Sequence, residues 1–232
     1  MLSMRYLPPA TARIMAVTAA VFVLQQLVHW LSGVPWLDMM GCLFLRTPNG
    51  LPWWQVWRIF SYALLHYDFV HLFLNMLGLW LVGASVEEEI GSRLYYAVYA
   101  AGIVLGGISA IICAALGLGG AETTTVLMGA SAGTMCILFT YIAMNPQNTI
   151  YLWMIILLPI KSLYLGIIMV IWQAIGLLLY SASQTSYSAH LGGIIAGFLA
   201  ALALRNNWDT RLSAYWQQLS KKWKRRHIRV VK

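Results

Sequence analysis

The chain has 232 residues, 60% hydrophobic and 9% charged, with a mean hydropathy of +0.71. A soluble domain carries about 25% charged residues, so this composition excludes an ordinary soluble fold and points to an integral membrane protein whose length suits one bundle. The net charge of +8 does not mark a nucleic-acid binder, because seven of the fifteen Lys and Arg are gathered in KKWKRRHIRVVK at 221–232; a basic segment beside a membrane helix orients the protein and anchors it to anionic lipid.

A spanning helix needs about 20 apolar residues, and about 17 at the short end of the range. The first candidate is 12–31, preceded by a short N-terminus, 1–11. Its apolar run after Arg13 is long and leads to no clean small-residue cleavage site, so it reads as a span and not as a cleavable signal. The connection 32–69 follows. LPWWQVWRIFSYALLHYDF is rich in Trp and Tyr and too broken to span, and aromatic residues favour the membrane interface. This loop is therefore predicted to lie half-sunk in the outer leaflet. Further spans are predicted at 70–86, 93–116, 129–144, 161–180 and 188–204. Those at 70–86 and 129–144 are short, which a bilayer tolerates only where their ends line a wet cavity. The stretch 145–160 is apolar and closes near Pro159; an interfacial segment and an early start to the fifth helix both fit it. Residues 205–232 form a basic tail.

Six spans put both termini on one side. Arg5, Arg13, Arg93, Lys161, Arg205, Arg211 and the tail share that side, while only Arg46 and Arg58 lie opposite. The positive-inside rule predicts that this side is cytoplasmic. Cys42, Cys113 and Cys136 are odd in number and scattered. They make neither a disulfide framework nor a zinc pattern and read as small hydrophobes. No internal repeat is visible, which weakens a small-solute transporter reading.

Ionisable and strongly polar residues inside a bilayer are costly and point to function. His71 and Asn75, four apart, share one helix face. Ser131 lies in GASAG, a G-x-S-x-G pattern. His190 lies in AHLGGIIAG. At about 1.5 Å per residue, Asn75 stands roughly 18 Å and His71 roughly 24 Å above Glu87, Ser131 roughly 20 Å above Met144 and His190 roughly 22 Å above Arg205. All four reach one level, roughly 10 Å below the outer surface of a core about 30 Å thick. Ala189, Gly193, Gly197 and Ala201 recur every fourth residue and Gly129 and Gly133 flank Ser131, so the fourth and sixth spans are able to pack closely with Ser131 and His190 at their seam.

Each feature alone has a simpler reading. A G-x-S-x-G in a Gly/Ala-rich span serves packing, and a lone histidine satisfies a contact between helices. Their common depth is what these readings leave unexplained. Other chemistries fail on inventory. There is no H-E-x-x-H for a zincin and no P-loop. Asp38, Asp68, Glu87 to Glu89, Glu122 and Asp209 form no intramembrane pair for an aspartyl protease. No acid lies at the depth of His190, so a serine mechanism here is a dyad.

Trp57–Arg58, HYDFVHLFLN ending in His71 and Asn75, GASVEEEIG, GASAG and AHLGGIIAG occur in that order. Together, over about 55–205, they resemble the rhomboid intramembrane serine proteases. That resemblance implies an all-α fold of six transmembrane helices with a membrane-embedded first loop, occupying 12–204. It implies Ser131 as nucleophile and His190 as general base. His71 and Asn75, with Gly129 and Ser131, match the oxyanion and substrate-binding positions. Trp57 and Arg58 match the loop motif, and Gly83, Glu87 and Gly91 a structural G-x-x-x-E-x-x-x-G element. Residues 181–188 match a cap loop over the site. Many relatives carry an aromatic residue four positions after the nucleophile, packed on the histidine; Met135 stands there, which alters the expected substrate preference more than activity.

The expected activity is cleavage of single-span membrane proteins near their outer face, with no metal and no cofactor. Gly or Pro in the substrate helps it unwind, and small residues at the cleavage point are implied by the resemblance. A bacterial inner membrane is the expected location. The contrasting reading is a catalytically silent relative that binds membrane proteins, which intact Ser131 and His190 disfavour.

Overall fold

The computed structural model describes residues 7–44, 53–118, 126–151, 159–179 and 186–206. Among these, four helices are long and apolar enough to cross a membrane: α1 (Pro9–Ser32), α4 (Phe69–Ala115), α6 (Ser162–Leu179) and α7 (Tyr187–Arg205), while α5 (Ser131–Met144) is apolar but shorter. The protein is a mostly helical, multi-pass membrane protein.

The 47 residues of α4 would reach about 70 Å if straight. They do not run straight, because Gly91 is left-handed (φ 78°, ψ 153°) and breaks the helix. The two limbs fold back on each other: a Cβ on Gly83 would lie 2.6 Å from the Tyr95 hydroxyl, whereas a straight helix would separate these residues by about 18 Å. The limbs match the predicted second and third spans. The predicted spans leave 87–92 between them, but residues 87–90 stay helical and Gly91 makes the reversal.

Glu87 ties that reversal to α1. The helix starts at Pro9, three residues before the predicted boundary; proline there gives up an N–H that would have no helical partner. The next two N–H groups donate to the Glu87 carboxylate, Ala10 N at 2.8 Å and Thr11 N at 2.7 Å. The Thr11 and Ser92 hydroxyls donate to it at 2.8 and 2.6 Å. A carboxylate at a helix N-terminus satisfies orphan donors and complements the helix dipole.

The first connection is built of short pieces: α2 (Trp36–Gly41), β1 (Leu43–Phe44), a 3-10 turn at Trp53–Gln55, α3 (Arg58–Ser61) and a second turn at Tyr62–Leu64. Arg58 is only 6% exposed and holds them together. Its guanidinium donates to Cys42 O, Met39 O and Gln55 Oε1 at 2.7, 2.8 and 2.7 Å and lies 4.8 Å from the centroid of the Phe44 ring. Trp57 is half-exposed and donates to Met40 O at 3.2 Å. Burial pushes the Cys42 thiol up to about 11, which keeps it protonated at neutral pH. β1 pairs antiparallel with β2 (Val126–Leu127), Leu43 opposite Leu127, which fixes the loop to the segment leading into α5.

The stretch 145–160 is not an early start to α6. After a turn at 145–148, its described parts form an antiparallel pair, β3 (Thr149–Tyr151) with β4 (Pro159–Lys161), and α6 begins at Ser162. Residues 1–6, most of the predicted cap loop and the basic tail beyond Asn206 lie outside the described residues.

The core is α5 packed between α4 and α7, filled by Tyr62, Leu79, Tyr95, Ile137 and Phe139. The small-residue face of α7 permits this. A Cβ on Gly193 would overlap the Ala132 carbonyl oxygen, and one on Gly197 would lie 2.6 Å from the Cys136 carbonyl oxygen. In contrast, α6 exposes Ile168, Ile171, Trp172 and Leu178 and buries only Ser162, Gly166, Gln173 and Gly176.

Candidate active site

Four helices, α4, α5, α6 and α7, deliver the polar residues. Ser131 is the first residue of α5. The first bond across the boundary of that helix runs from Thr134 N–H to Ala130 O at 3.0 Å, so the N–H groups of Ser131, Ala132 and Gly133 precede the ladder. His190 sits in the first turn of α7, which is capped by Ser186 accepting from Ala189 N–H. The His190 Nε2 lies 2.8 Å from Ser131 Oγ. The structure thus brings together the two residues that depth and small-residue spacing place at one seam.

His190 has a second partner. Its Nδ1 lies 3.0 Å from Oε1 of Gln173 on α6, giving a chain Ser131–His190–Gln173 across α5, α7 and α6. The sequence reading missed Gln173, though its signal was present: one strongly polar side chain in the middle of IIMVIWQAIG.

The segment before Ser131 is shaped by α4. Gly129 adopts φ +126°, outside the range of ordinary L-residues, and a Cβ there would lie 2.5 Å from His71 Cε1 and 2.7 Å from His71 Nε2. Only glycine lets the His71 ring rest against this backbone. Asp68 caps α4 by accepting from His71 N–H at 2.7 Å. Asn75 is buried one turn further and its Nδ2 donates to His71 O at 3.0 Å. Met135 packs in the apolar cluster of Phe139, Ile142 and Ile194, together with Leu191.

His66 is a second residue missed, because it lies in the loop assigned to the interface. It is fully buried. Its Nε2 accepts from Ala130 N–H at 3.3 Å, beside Ser131, so its proton resides on Nδ1. Burial, aided by the neighbouring His71, pushes its pKa down to about 4 and holds it neutral. Gln25 of α1 locks the His66 backbone, donating to His66 O at 2.9 Å and accepting from His66 N–H at 3.1 Å, and donates to Asp38 at 2.6 Å. Among the described residues no three His, Cys, Asp or Glu side chains cluster as metal ligands.

These features define a multi-pass membrane protein with a serine–histidine pair at the start of a short central helix. The family model of the Rhomboid domain matches residues 53–207, and the chain belongs to the rhomboid family. It is 27% identical over 203 residues to rhomboid protease GlpG of Pectobacterium atrosepticum, covering 87% of this chain and 63% of that protein. It is 24% identical over 214 residues to GlpG of Serratia proteamaculans, covering 90% and 66%. It is 30% identical over 148 residues to rhomboid protease GluP of Bacillus subtilis, covering 64% of this chain and 26% of that one. The chain thus spans at most 66% of the length of these relatives.

Proposed function

We propose that this protein is an intramembrane serine endopeptidase that cleaves single-span membrane proteins near their outer face. The observation that carries the reading is the 2.8 Å contact of His190 Nε2 with Ser131 Oγ at the N-terminus of α5. A hydroxyl is a weak nucleophile until a base takes its proton. His190 takes it as Ser131 Oγ attacks the substrate carbonyl. The tetrahedral oxyanion draws on the Ser131 N–H, which lies ahead of the helical ladder, and on side-chain donors from His71 and Asn75. A single such donor is worth about 10²–10³ in rate. His190 then protonates the leaving amine, and water hydrolyses the acyl-enzyme.

In this reading the two limbs of α4 are separate spans, which with α1, α5, α6 and α7 makes six. Both termini face the cytoplasm of a bacterial inner membrane, the basic tail binds anionic lipid, and Arg58 with Trp57 holds the first loop in the outer leaflet. No cofactor takes part. The substrate helix unwinds to expose its carbonyl, so Gly or Pro near the cleavage point favours it.

The test is cleavage of a model single-span substrate by purified protein in lipid vesicles. Wild type is expected to cleave, and Ser131→Ala and His190→Ala to lose activity by at least about 10³-fold, the scale of a lost nucleophile or base. Failure of wild type across substrates would favour a silent rhomboid-family binder, and equal cleavage by Ser131→Ala would remove Ser131 as the nucleophile.

A further inference from the structure

We propose that Gln173 is a positioning residue that selects the catalytic tautomer of His190 in place of a triad acid; the inference rests on the serine–histidine reading above. A neutral imidazole has one donor and one acceptor nitrogen, and the partner of one nitrogen decides the role of the other. Ser131 needs Nε2 as acceptor. Nδ1 must therefore carry the proton, and the atom facing it at 3.0 Å is the Gln173 carbonyl oxygen Oε1, an acceptor. With this partner, Nε2 presents its lone pair to the Ser131 hydroxyl at 2.8 Å. Were Nδ1 unprotonated, Nε2 would carry the hydrogen and point it at Oγ, and the pair would be inert.

The placement of Gln173 is built into the packing of α6. The residue is 4% exposed, on a helix whose other buried positions are Ser162, Gly166 and Gly176. Burying an amide in an apolar layer is costly unless it is hydrogen-bonded. One turn along, Gly176 has no room for a Cβ because the Tyr187 ring occupies that space. Gln173 with His190 and Gly176 with Tyr187 are steps of one antiparallel register between α6 and α7. The glycine lets the helices approach, and the glutamine uses the approach to orient the imidazole. Being neutral, the amide fixes orientation without adding a charge at the depth of the site.

The test uses the full chain in lipid vesicles and two probes: a fluorophosphonate, which reads the nucleophilicity of Ser131 directly, and a fluorogenic single-span peptide. Gln173→Met preserves length and removes the acceptor. Gln173→Glu keeps an acceptor oxygen whether ionised or protonated. Ser131 labelling and kcat are expected to fall about 10–100-fold in Gln173→Met, a part of what general-base catalysis supplies, with KM changed less than about twofold. In Gln173→Glu labelling returns to within about threefold of wild type. Histidine ¹⁵N shifts, assigned by loss of the His190→Ala signal, report a protonated Nδ1 in wild type and mixed tautomers in Gln173→Met. Should Gln173→Met fail to fold, Gln173→Asn, whose amide falls short by one methylene, is expected to show the same loss. Unchanged labelling and ¹⁵N shifts in Gln173→Met overturn the proposal alone, as does an equal loss in Gln173→Met and Gln173→Glu. A wild type that neither labels nor cleaves overturns the underlying dyad reading.

Discussion

Replacing Glu87 separates its capping role from any role at the active site. Its carboxylate accepts from four donors, and two of these, Ala10 N–H and Thr11 N–H, belong to residues with no solvent exposure. A buried donor left unpaired costs about 1–3 kcal/mol. Glu87→Ala strands both backbone donors and is expected to destabilise by about 2–6 kcal/mol. Glu87→Gln keeps one oxygen, and its NH₂ must face one of the two backbone N–H groups whichever way the amide turns. The Thr11 or Ser92 hydroxyl on that side rotates to accept. One stranded donor remains, so the expected cost is about half, about 1–3 kcal/mol. Denaturant unfolding of the purified protein in detergent micelles reads both values. Since Glu87 lies about 24 Å along the helix from His71, cleavage well below the unfolding midpoint is retained in both variants. A neutral Glu87→Gln, or a Glu87→Ala no worse than Glu87→Gln, would refute the capping argument.

Gly193→Leu forces a Cβ into the Ala132 carbonyl and is expected to cost about 3 kcal/mol or more by overpacking; because it parts α5 from α7, Ser131 labelling falls with stability, and wild-type unfolding would contradict it. Gly129→Ala is strained at φ +126° and displaces His71; kcat is expected to drop about 10²-fold, the worth of one oxyanion donor, and an unchanged kcat would show that His71 does not serve the oxyanion. His66 has a folded pKa of about 4, below its unfolded value near 6.5, so its contribution is fully present above pH ~6.5 and is lost as pH falls towards ~4. The gap is worth about 3 kcal/mol. His66→Gln, whose Oε1 takes over the Ala130 N–H, is expected to flatten that acid slope in unfolding measurements; equal slopes in wild type and variant would remove His66 as its cause.

Much of the architecture was legible because bilayer physics leaves few choices. Length and hydropathy located every described span to within a few residues, and Gly193 and Gly197 announced the close seam that the packing of α7 on α5 uses. Depth counting placed Ser131 and His190 at one level, and they meet at 2.8 Å. The reversal between the α4 limbs was less legible. The predicted second span stops at 86, but the helix runs on to the break at Gly91, with Glu87 buried against the start of α1. The same bond moved the start of α1 from 12 to Pro9. In both places the deciding partner lies far along the chain, where helix periodicity carries no information.

The two residues that sequence reasoning missed share a different cause. Ser131, His190, His71 and Asn75 stand in recognisable sequence patterns, whereas Gln173 is a lone amide in an otherwise apolar run. Yet a neutral amide in an apolar layer also carries a desolvation cost, and that cost is what makes its pairing with His190 informative. His66 escaped because its loop reads as interfacial, while its burial against Gln25 of α1, His71 of α4 and the start of α5 is a tertiary property. The pairing that orients His190 arises between helices whose lipid-facing composition is otherwise unremarkable. Looking for acids alone gives a bare dyad at this site. Asking which polar groups in the spans still need a partner leads to Gln173, whose Oε1 faces His190 Nδ1 at 3.0 Å and so suits the tautomer that leaves Nε2 free to take the Ser131 proton.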